Sequence, residues 1–170
     1  MKIVLLGYMG SGKSTVSKLL AQKLQLAAID LDEYIEKSEG KSIQQIFKDQ
    51  GEIYFRNQEN KYLTELLNKK ENFVLALGGG TPCYANNMDL IKNKAASSFY
   101  LKAGLNNLFE RLRHEKEQRP LIALLNDEKL KEFIAKHLFE RAPYYEQADQ
   151  LINIDDKVPS HIVDEITALL

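Results

Sequence analysis

At 170 residues, 44% of them hydrophobic and 28% charged, the chain has the size and composition of one globular domain with a proper core. The 23 Lys and Arg nearly cancel the 24 Asp and Glu, so no bulk basic field calls for nucleic acid. The one cysteine, Cys83, allows no internal disulfide and points to a reducing compartment. No apolar run approaches a membrane span, and the opening stretch is too short and broken for a secretory signal. A cytoplasmic protein is expected, with neither nucleic acid nor membrane as partner, and a monomer, since no long exposed apolar stripe is evident.

Residues 2–7 are predicted as a strand, because Ile3-Val4-Leu5-Leu6 is a short apolar run of the buried kind. It leads into Gly7-Tyr8-Met9-Gly10-Ser11-Gly12-Lys13-Ser14-Thr15, which fits G-x-x-x-x-G-K-[ST] without a mismatch. Val16, Leu19, Leu20 and Leu24 then recur at helical spacing, which predicts a helix over about 13–25. Strand, glycine loop and helix is the context that makes this motif a phosphate-binding loop. Backbone N–H groups from Gly10 to Thr15 can converge on an anion at the positive end of the helix. Lys13 can reach the β- and γ-phosphates of a nucleotide, and the Ser14 hydroxyl can bind Mg²⁺.

Leu26-Ala27-Ala28-Ile29 is a second apolar run, ending at Asp30-Leu31-Asp32. Two carboxylates at i and i+2 point the same way if the chain stays extended. There they could hold hydrated Mg²⁺ or accept from a substrate hydroxyl. The simpler alternative is a pair of caps for a helix starting at Glu33. Short helices are expected over 33–39 and 42–50, separated by Gly40, and another from Gly51 to about Asn68. On that last helix Arg56 shares a face with Glu52 and Glu59, either as a guanidinium held still for a ligand or as an ordinary ion-pair ladder. Phe73–Leu77 reads as a strand running into Gly78-Gly79-Gly80-Thr81-Pro82. Three glycines in a row are entropically costly and suggest close approach of backbone to a ligand.

A helix over 86–94, a strand at Ser98–Leu101 and a helix from Leu105 to about His114 follow, the last carrying Arg111 and Arg113. Glu115 to Pro120 is charged, poorly patterned and reads as a mobile loop, with Arg119 in it. Asp127 is expected to cap a helix to about Gln147, with a stripe of Leu130, Ile134, Leu138, Arg141 and Tyr145, and Pro143 is expected to kink it near Phe139. An arginine in an apolar stripe calls for an anionic partner. Leu151–Ile154 is a fifth strand and 160–169 a closing helix. Strands alternating with helices argue an α/β fold with a parallel sheet covered on both faces. His114, His137 and His161 have no metal spacing with the lone cysteine and read as structural or surface residues.

The glycine loop would supply a terminal phosphate. The carboxylates suit a hydroxyl acceptor, and two arginines suit a carboxylate or phosphate on that acceptor. The motifs GYMGSGKST at 7–15, D-x-D at 30–32, GExxFR at 51–56, GGG at 78–80, RPLI at 119–122 and R-x-P-x-Y at 141–145 occur in one order along nearly the whole chain. As a set they resemble the shikimate kinases, within the nucleoside-monophosphate-kinase-like P-loop fold. Leu31 and Ile122 depart from the residues commonest in that family, at the level of packing.

The resemblance implies a three-layer sandwich with a five-stranded parallel sheet in order 2-3-1-4-5 and helices on both faces. It implies one domain over 1–170, with a substrate-binding helical region at about 32–60 and a mobile lid at about 115–125. It places Asp30 near Mg²⁺ and Asp32 against shikimate hydroxyls, where it can take a proton. Arg56 and Arg141 would hold the carboxylate, and Gly78, Gly79 and Gly80 would line the ring. Arg119 belongs to the lid, and Arg111 lies on adenine, with Arg113 as its rival. The reaction implied is ATP plus shikimate giving shikimate 3-phosphate plus ADP, a step toward chorismate and the aromatic amino acids. A switch GTPase would need D-x-x-G and N-K-x-D, and neither is present. A different small-molecule kinase of the same fold has no evident use for Arg56, GGG and Arg141 together. A catalytically dead nucleotide-binding module would not need Lys13, Ser14, Asp30 and Asp32 intact.

Overall fold

A computed structural model describes residues 1–95, 97–119 and 121–170, with the side chains of all of these but Gln118. Strands β1 (Lys2–Leu6), β2 (Ala27–Asp30), β3 (Phe73–Ala76), β4 (Ser97–Lys102) and β5 (Gln150–Asn153) pair in parallel in the order β2-β3-β1-β4-β5. This is the expected α/β topology. Seven helices connect and cover the sheet: α1 (Lys13–Leu24), α2 (Leu31–Glu39), α3 (Ile43–Asn68), α4 (Asn87–Lys94), α5 (Leu105–Arg113), α6 (Asp127–Tyr145) and α7 (Pro159–Ala168). The chain steps one way from β1 to β2 and the other way in every later crossover. Right-handed connections therefore put α1 on one face and α3 to α6 on the other. Helix α7 returns to pack on α1.

The central strands are apolar throughout because both faces are covered. Ile3, Val4, Leu5 and Leu6 are fully buried, as are Val74 and Leu75. Register then positions the site. Leu5 pairs with Ala76, and Ala76 pairs in turn with Asp30. The chain therefore leaves β1, β3 and β2 at one level, and Gly7, Gly78 and Asp32 emerge side by side.

Several local expectations change. The chain does not stay extended past Asp30. Helix α2 starts at Leu31, two residues earlier than expected, because Asp30 Oδ1 caps it by accepting from the N–H groups of Asp32 (3.0 Å) and Glu33 (3.4 Å). The helices expected over 42–50 and from Gly51 are both present as the two halves of α3, and they meet as expected at Gly51, whose backbone is not helical (φ 83°, ψ 176°). The cap of α6 is Asn126, whose Oδ1 accepts from the Lys129 N–H at 2.9 Å, rather than Asp127. Helix α6 runs on through Pro143 and ends two residues later, at Tyr145. The segment after α5 makes a 3-10 turn over Lys116–Gln118 and is pinned by fully buried Ile122, while Leu121 and Leu124 face solvent. Pro120 of the RPLI motif lies outside the described residues.

Candidate active site

The phosphate loop leaves β1 at Gly7 and enters α1 through Gly12, whose positive φ of 84° turns the chain into the helix. Val16, Leu20 and Ala21 bury one face of α1, so its first turn is held at the loop. Lys13 is buried, and its ammonium donates to Gly7 O and Tyr8 O, both at 2.9 Å. Burial lowers its pKa to about 8, opposed by the carboxylates of Asp32 and Asp30. A cavity of about 470 Å³ opens over the loop, walled by Lys13, Ser14, Asp30, Asp32, Arg111 and Arg119.

Asp30 and Asp32 do different work. The Ser14 hydroxyl donates to Asp30 Oδ2 at 2.7 Å while Asp30 Oδ1 caps α2. Among the described residues no group of three or more His, Cys, Asp or Glu converges as a metal cage. A hydroxyl and a carboxylate beside a phosphate site nonetheless fit Mg²⁺, which keeps most of its waters and takes few protein oxygens. Asp32 sits on the first turn of α2 with its carboxylate against Gly78, where an added Cβ would fall 2.8 Å from Oδ1. Burial, then the neighbouring charges of Asp30 and Glu59, raise its pKa from 3.8 to about 7.

A second group of residues is built around the triple glycine, of which Gly78 and Gly79 line the cavity while Arg56 and Arg141 stand beyond its lining. Arg56 Nη1 donates to Glu59 at 2.7 Å and Nη2 to Glu52 at 3.4 Å, and its Cζ lies 4.1 Å from the Tyr84 ring centroid. Glu59 is 1% exposed, and its other oxygen accepts from the Thr81 hydroxyl at 2.6 Å. A ladder on a surface would not be buried in this way, so the guanidinium is held. Burial opposes its charge, yet Glu59, Tyr84 and Glu52 together keep its pKa above the ordinary value. A Cβ built on Gly80 would fall 2.6 Å from Arg56 Nη1, so a side chain there would displace the guanidinium. One built on Gly79 would lie 3.2 Å from Met9 N of the phosphate loop and 3.5 Å from Arg141 Nη1. Arg141 reaches this point from α6, where Leu130 and Ile134 are fully buried on the same stripe. The triple glycine thus lies between the phosphate loop and two guanidinium groups.

Arg111 Nη1 donates to Gly10 O at 3.1 Å, over the loop. Arg113 pairs instead with Glu110 and Asp127, on the α6 side, and does not line the cavity. Arg119 lines the cavity with its Nη2 on Glu115 at 2.9 Å and its buried Nε without a hydrogen-bond partner. His137 touches Tyr8 through Nδ1 at 3.2 Å and packs on Phe133, a structural position as expected. The sequence pointed to Glu59 as a brace for Arg56 but not to its burial or to its second partner, Thr81, and it did not point to Asn87, which supports Thr81 O at 2.8 Å, or to Tyr145 as a loop contact. The stripe on α6 held the one usable signal, since Tyr145 follows Arg141 by one turn.

A family model described as shikimate kinase matches residues 9–170. The chain belongs to the shikimate kinase family. A shikimate kinase of Flavobacterium johnsoniae is 48% identical over 169 residues, covering 99% of this chain and 98% of the relative. That of Flavobacterium psychrophilum is 45% identical with the same coverage. The crystal structure of a shikimate kinase from Bacteroides thetaiotaomicron superposes with a TM-score of 0.92 at 36% identity, over 99% of this chain and 97% of the other. A shikimate kinase from Acinetobacter baumannii, in complex with shikimate, gives 0.86 at 33% identity, over 99% and 91%. As a member of a kinase family the chain is an ATP-using transferase.

Proposed function

We propose that this protein transfers the γ-phosphoryl group of ATP to the 3-hydroxyl of shikimate, giving shikimate 3-phosphate and ADP. The observation that carries the reading is the placement of Arg56 and Arg141 on either side of Gly79 and Gly80, against the backbone of the phosphate loop. A planar fork on each side suits a small acceptor with one carboxylate, held a few ångströms from a terminal phosphate. Identities of 45–48% to shikimate kinases over nearly the whole chain support the same acceptor.

In this mechanism the phosphates lie on the N–H groups of Gly10 to Thr15, with the nucleoside running along Arg111 toward Pro159. Lys13 exchanges the carbonyls of Gly7 and Tyr8 for phosphate oxygens, and neutralises charge that spreads onto them in the transition state. Ser14 and Asp30 would hold Mg²⁺, which would supply positive charge against the nucleotide phosphates. Arg56 and Arg141 fix the carboxylate, and Gly78, Gly79 and Gly80 leave room for the ring. Asp32 accepts a hydrogen bond from the attacked hydroxyl. The hydroxyl oxygen bonds to the γ-phosphorus as the bond to the β–γ bridging oxygen breaks. The hydroxyl proton passes to Asp32, whose raised pKa suits it to receive one. Residues 115–125 act as a lid that excludes water, and Arg119, with donors to spare, adds positive charge at the phosphates. The region 32–60 carries Asp32 and Arg56 and forms the acceptor wall.

Both walls come from one chain, which supports action as a monomer. Among the described residues no helix is long and apolar enough to cross a membrane, which fits the cytoplasmic site inferred from the lone cysteine. ADP release measured with shikimate, gluconate, AMP or no acceptor tests the substrate, and ³¹P–¹H NMR of the product tests the position. Shikimate alone should stimulate release. Stimulation by gluconate or AMP and none by shikimate would overturn the assignment.

A further inference from the structure

Tyr145 closes α6 and is fully buried, its ring tilted against Tyr100 with centroids 5.2 Å apart. A buried phenol needs a partner for its hydroxyl. The partner is Gly79 O, at 2.5 Å and 66 residues away. Gly79 O belongs to the peptide that joins Gly79 to Gly80. That unit is planar and trans, so the Gly80 N–H points opposite to Gly79 O, away from Tyr145. Among the described residues it donates to no acceptor.

Three successive glycines give this loop many accessible conformers, and no side chain of its own selects among them. Two backbone bonds close the turn, Thr81 N–H to Gly78 O at 3.2 Å and Cys83 N–H to Gly80 O at 2.9 Å, but neither takes a polar atom of the Gly79–Gly80 peptide, whose hold among the described residues is Tyr145. Tyr145 stands one helical turn beyond Arg141, on the same face. Pro143 lies between them and fixes the backbone of the turn that carries both.

We propose that Tyr145 is a positioning residue for the acceptor: its hydroxyl fixes the Gly79–Gly80 peptide so that the Gly80 N–H is presented to the acceptor beneath Arg56. The same contact ties the loop to Arg141, so the two elements of the acceptor wall share one anchor. The inference rests on the shikimate reading of the site.

The test is Tyr145→Phe, which keeps the ring and removes only the hydroxyl. KM for shikimate should rise about tenfold while kcat and the KM for ATP stay within about twofold, as expected for one misaligned donor to the acceptor. Tyr100→Phe is the control. It alters the same aromatic pair without touching Gly79, and should leave the KM for shikimate unmoved. In the wild type labelled with ¹⁵N-glycine, shikimate should shift the Gly80 amide resonance, and in Tyr145→Phe that response should shrink. A wild-type KM for shikimate in Tyr145→Phe, a parallel rise for both substrates, or a Gly80 amide in the wild type that ignores shikimate would each overturn the proposal. Failure of the shikimate reading is distinct, since the wild type would then release no ADP with shikimate. The ligand-free Gly80 amide would still decide the anchoring, because Tyr145→Phe must shift it and speed its exchange if the hydroxyl fixes that peptide.

Discussion

Asp32→Asn should make the protein more stable and nearly inactive, and the size of the stability gain should depend on pH in a set direction. The Asp32 pKa is raised from 3.8 to about 7 in the folded chain, chiefly by burial. Between these values the folded state holds a proton that the unfolded chain has lost. Stability therefore falls as pH rises through that window and is flat above it. A shift of about three units sets a ceiling of about 4 kcal/mol. Asp32 keeps partial access to solvent, and with that screening the cost is about 1–2 kcal/mol. The Asn side chain has the same shape and never ionises, so it escapes this cost. For a domain of this size the gain corresponds to a melting temperature about 3–6 °C higher at pH 8. The difference should shrink steadily toward pH 4. Differential scanning calorimetry of both proteins from pH 4 to 8 reads it directly. Loss of the proton acceptor should lower kcat by about 10²–10⁴-fold with little change in ATP affinity. A variant no more stable at pH 8 than at pH 4, relative to the wild type, would refute the view of Asp32 as a carboxylate strained by its surroundings. An unchanged kcat would remove it from the chemistry.

Lys13→Ala should lower kcat by at least about 10³-fold with the fold intact by circular dichroism, because charge on the transferring phosphoryl loses its closest amine. Arg56→Lys and Arg141→Lys should each raise the KM for shikimate about tenfold or more and spare that for ATP, since lysine keeps the charge but not the fork; steady-state kinetics that showed the reverse would invert the two walls. Hydrogen exchange across 115–125 should slow when ADP and shikimate are both added, and Arg119→Ala should lower kcat with little effect on shikimate binding; equal protection with and without ligands would rule out a lid.

The parts of the molecule that local sequence could reveal are those in which a short stretch determines its own geometry. The phosphate loop is one, since glycines, lysine and the following apolar spacing lie within about twenty residues. The buried strands are another, because cover on both faces leaves an unbroken apolar run. What local pattern missed depends on partners distant in the chain. Glu59 reads equally as a brace for Arg56 or as half of a surface ladder, until the fold puts the Thr81 hydroxyl on its second oxygen, 22 residues on. Asp30 reads from sequence as either a site residue or a cap, and in the fold it accepts from Ser14 while capping α2. Asn126 and Asp127 are both competent caps, and only the backbone conformation at the first of them decides. Pro143 suggested a kink because a proline inside a helix costs a hydrogen bond, but near a helix end that loss requires no break in the helix.

The bend at Gly51 has a consequence for chemical synthesis of the protein. Its φ of 83° with ψ of 176° is the mirror image of ordinary extended backbone, and among the described residues nothing beyond its chain neighbours and its own helix backbone lies within 4 Å of where a Cβ would stand. An L-residue there would suffer from its handedness alone, not from crowding. D-alanine would adopt the same angles at rest. It would also restrict the unfolded chain, and on that account should stabilise the protein by about 0.4–1 kcal/mol. The angle at which the first half of α3 meets the half that carries Arg56 is thus specified by chirality at a single position in open space, where a residue of the opposite hand fits and all nineteen of the usual hand are strained.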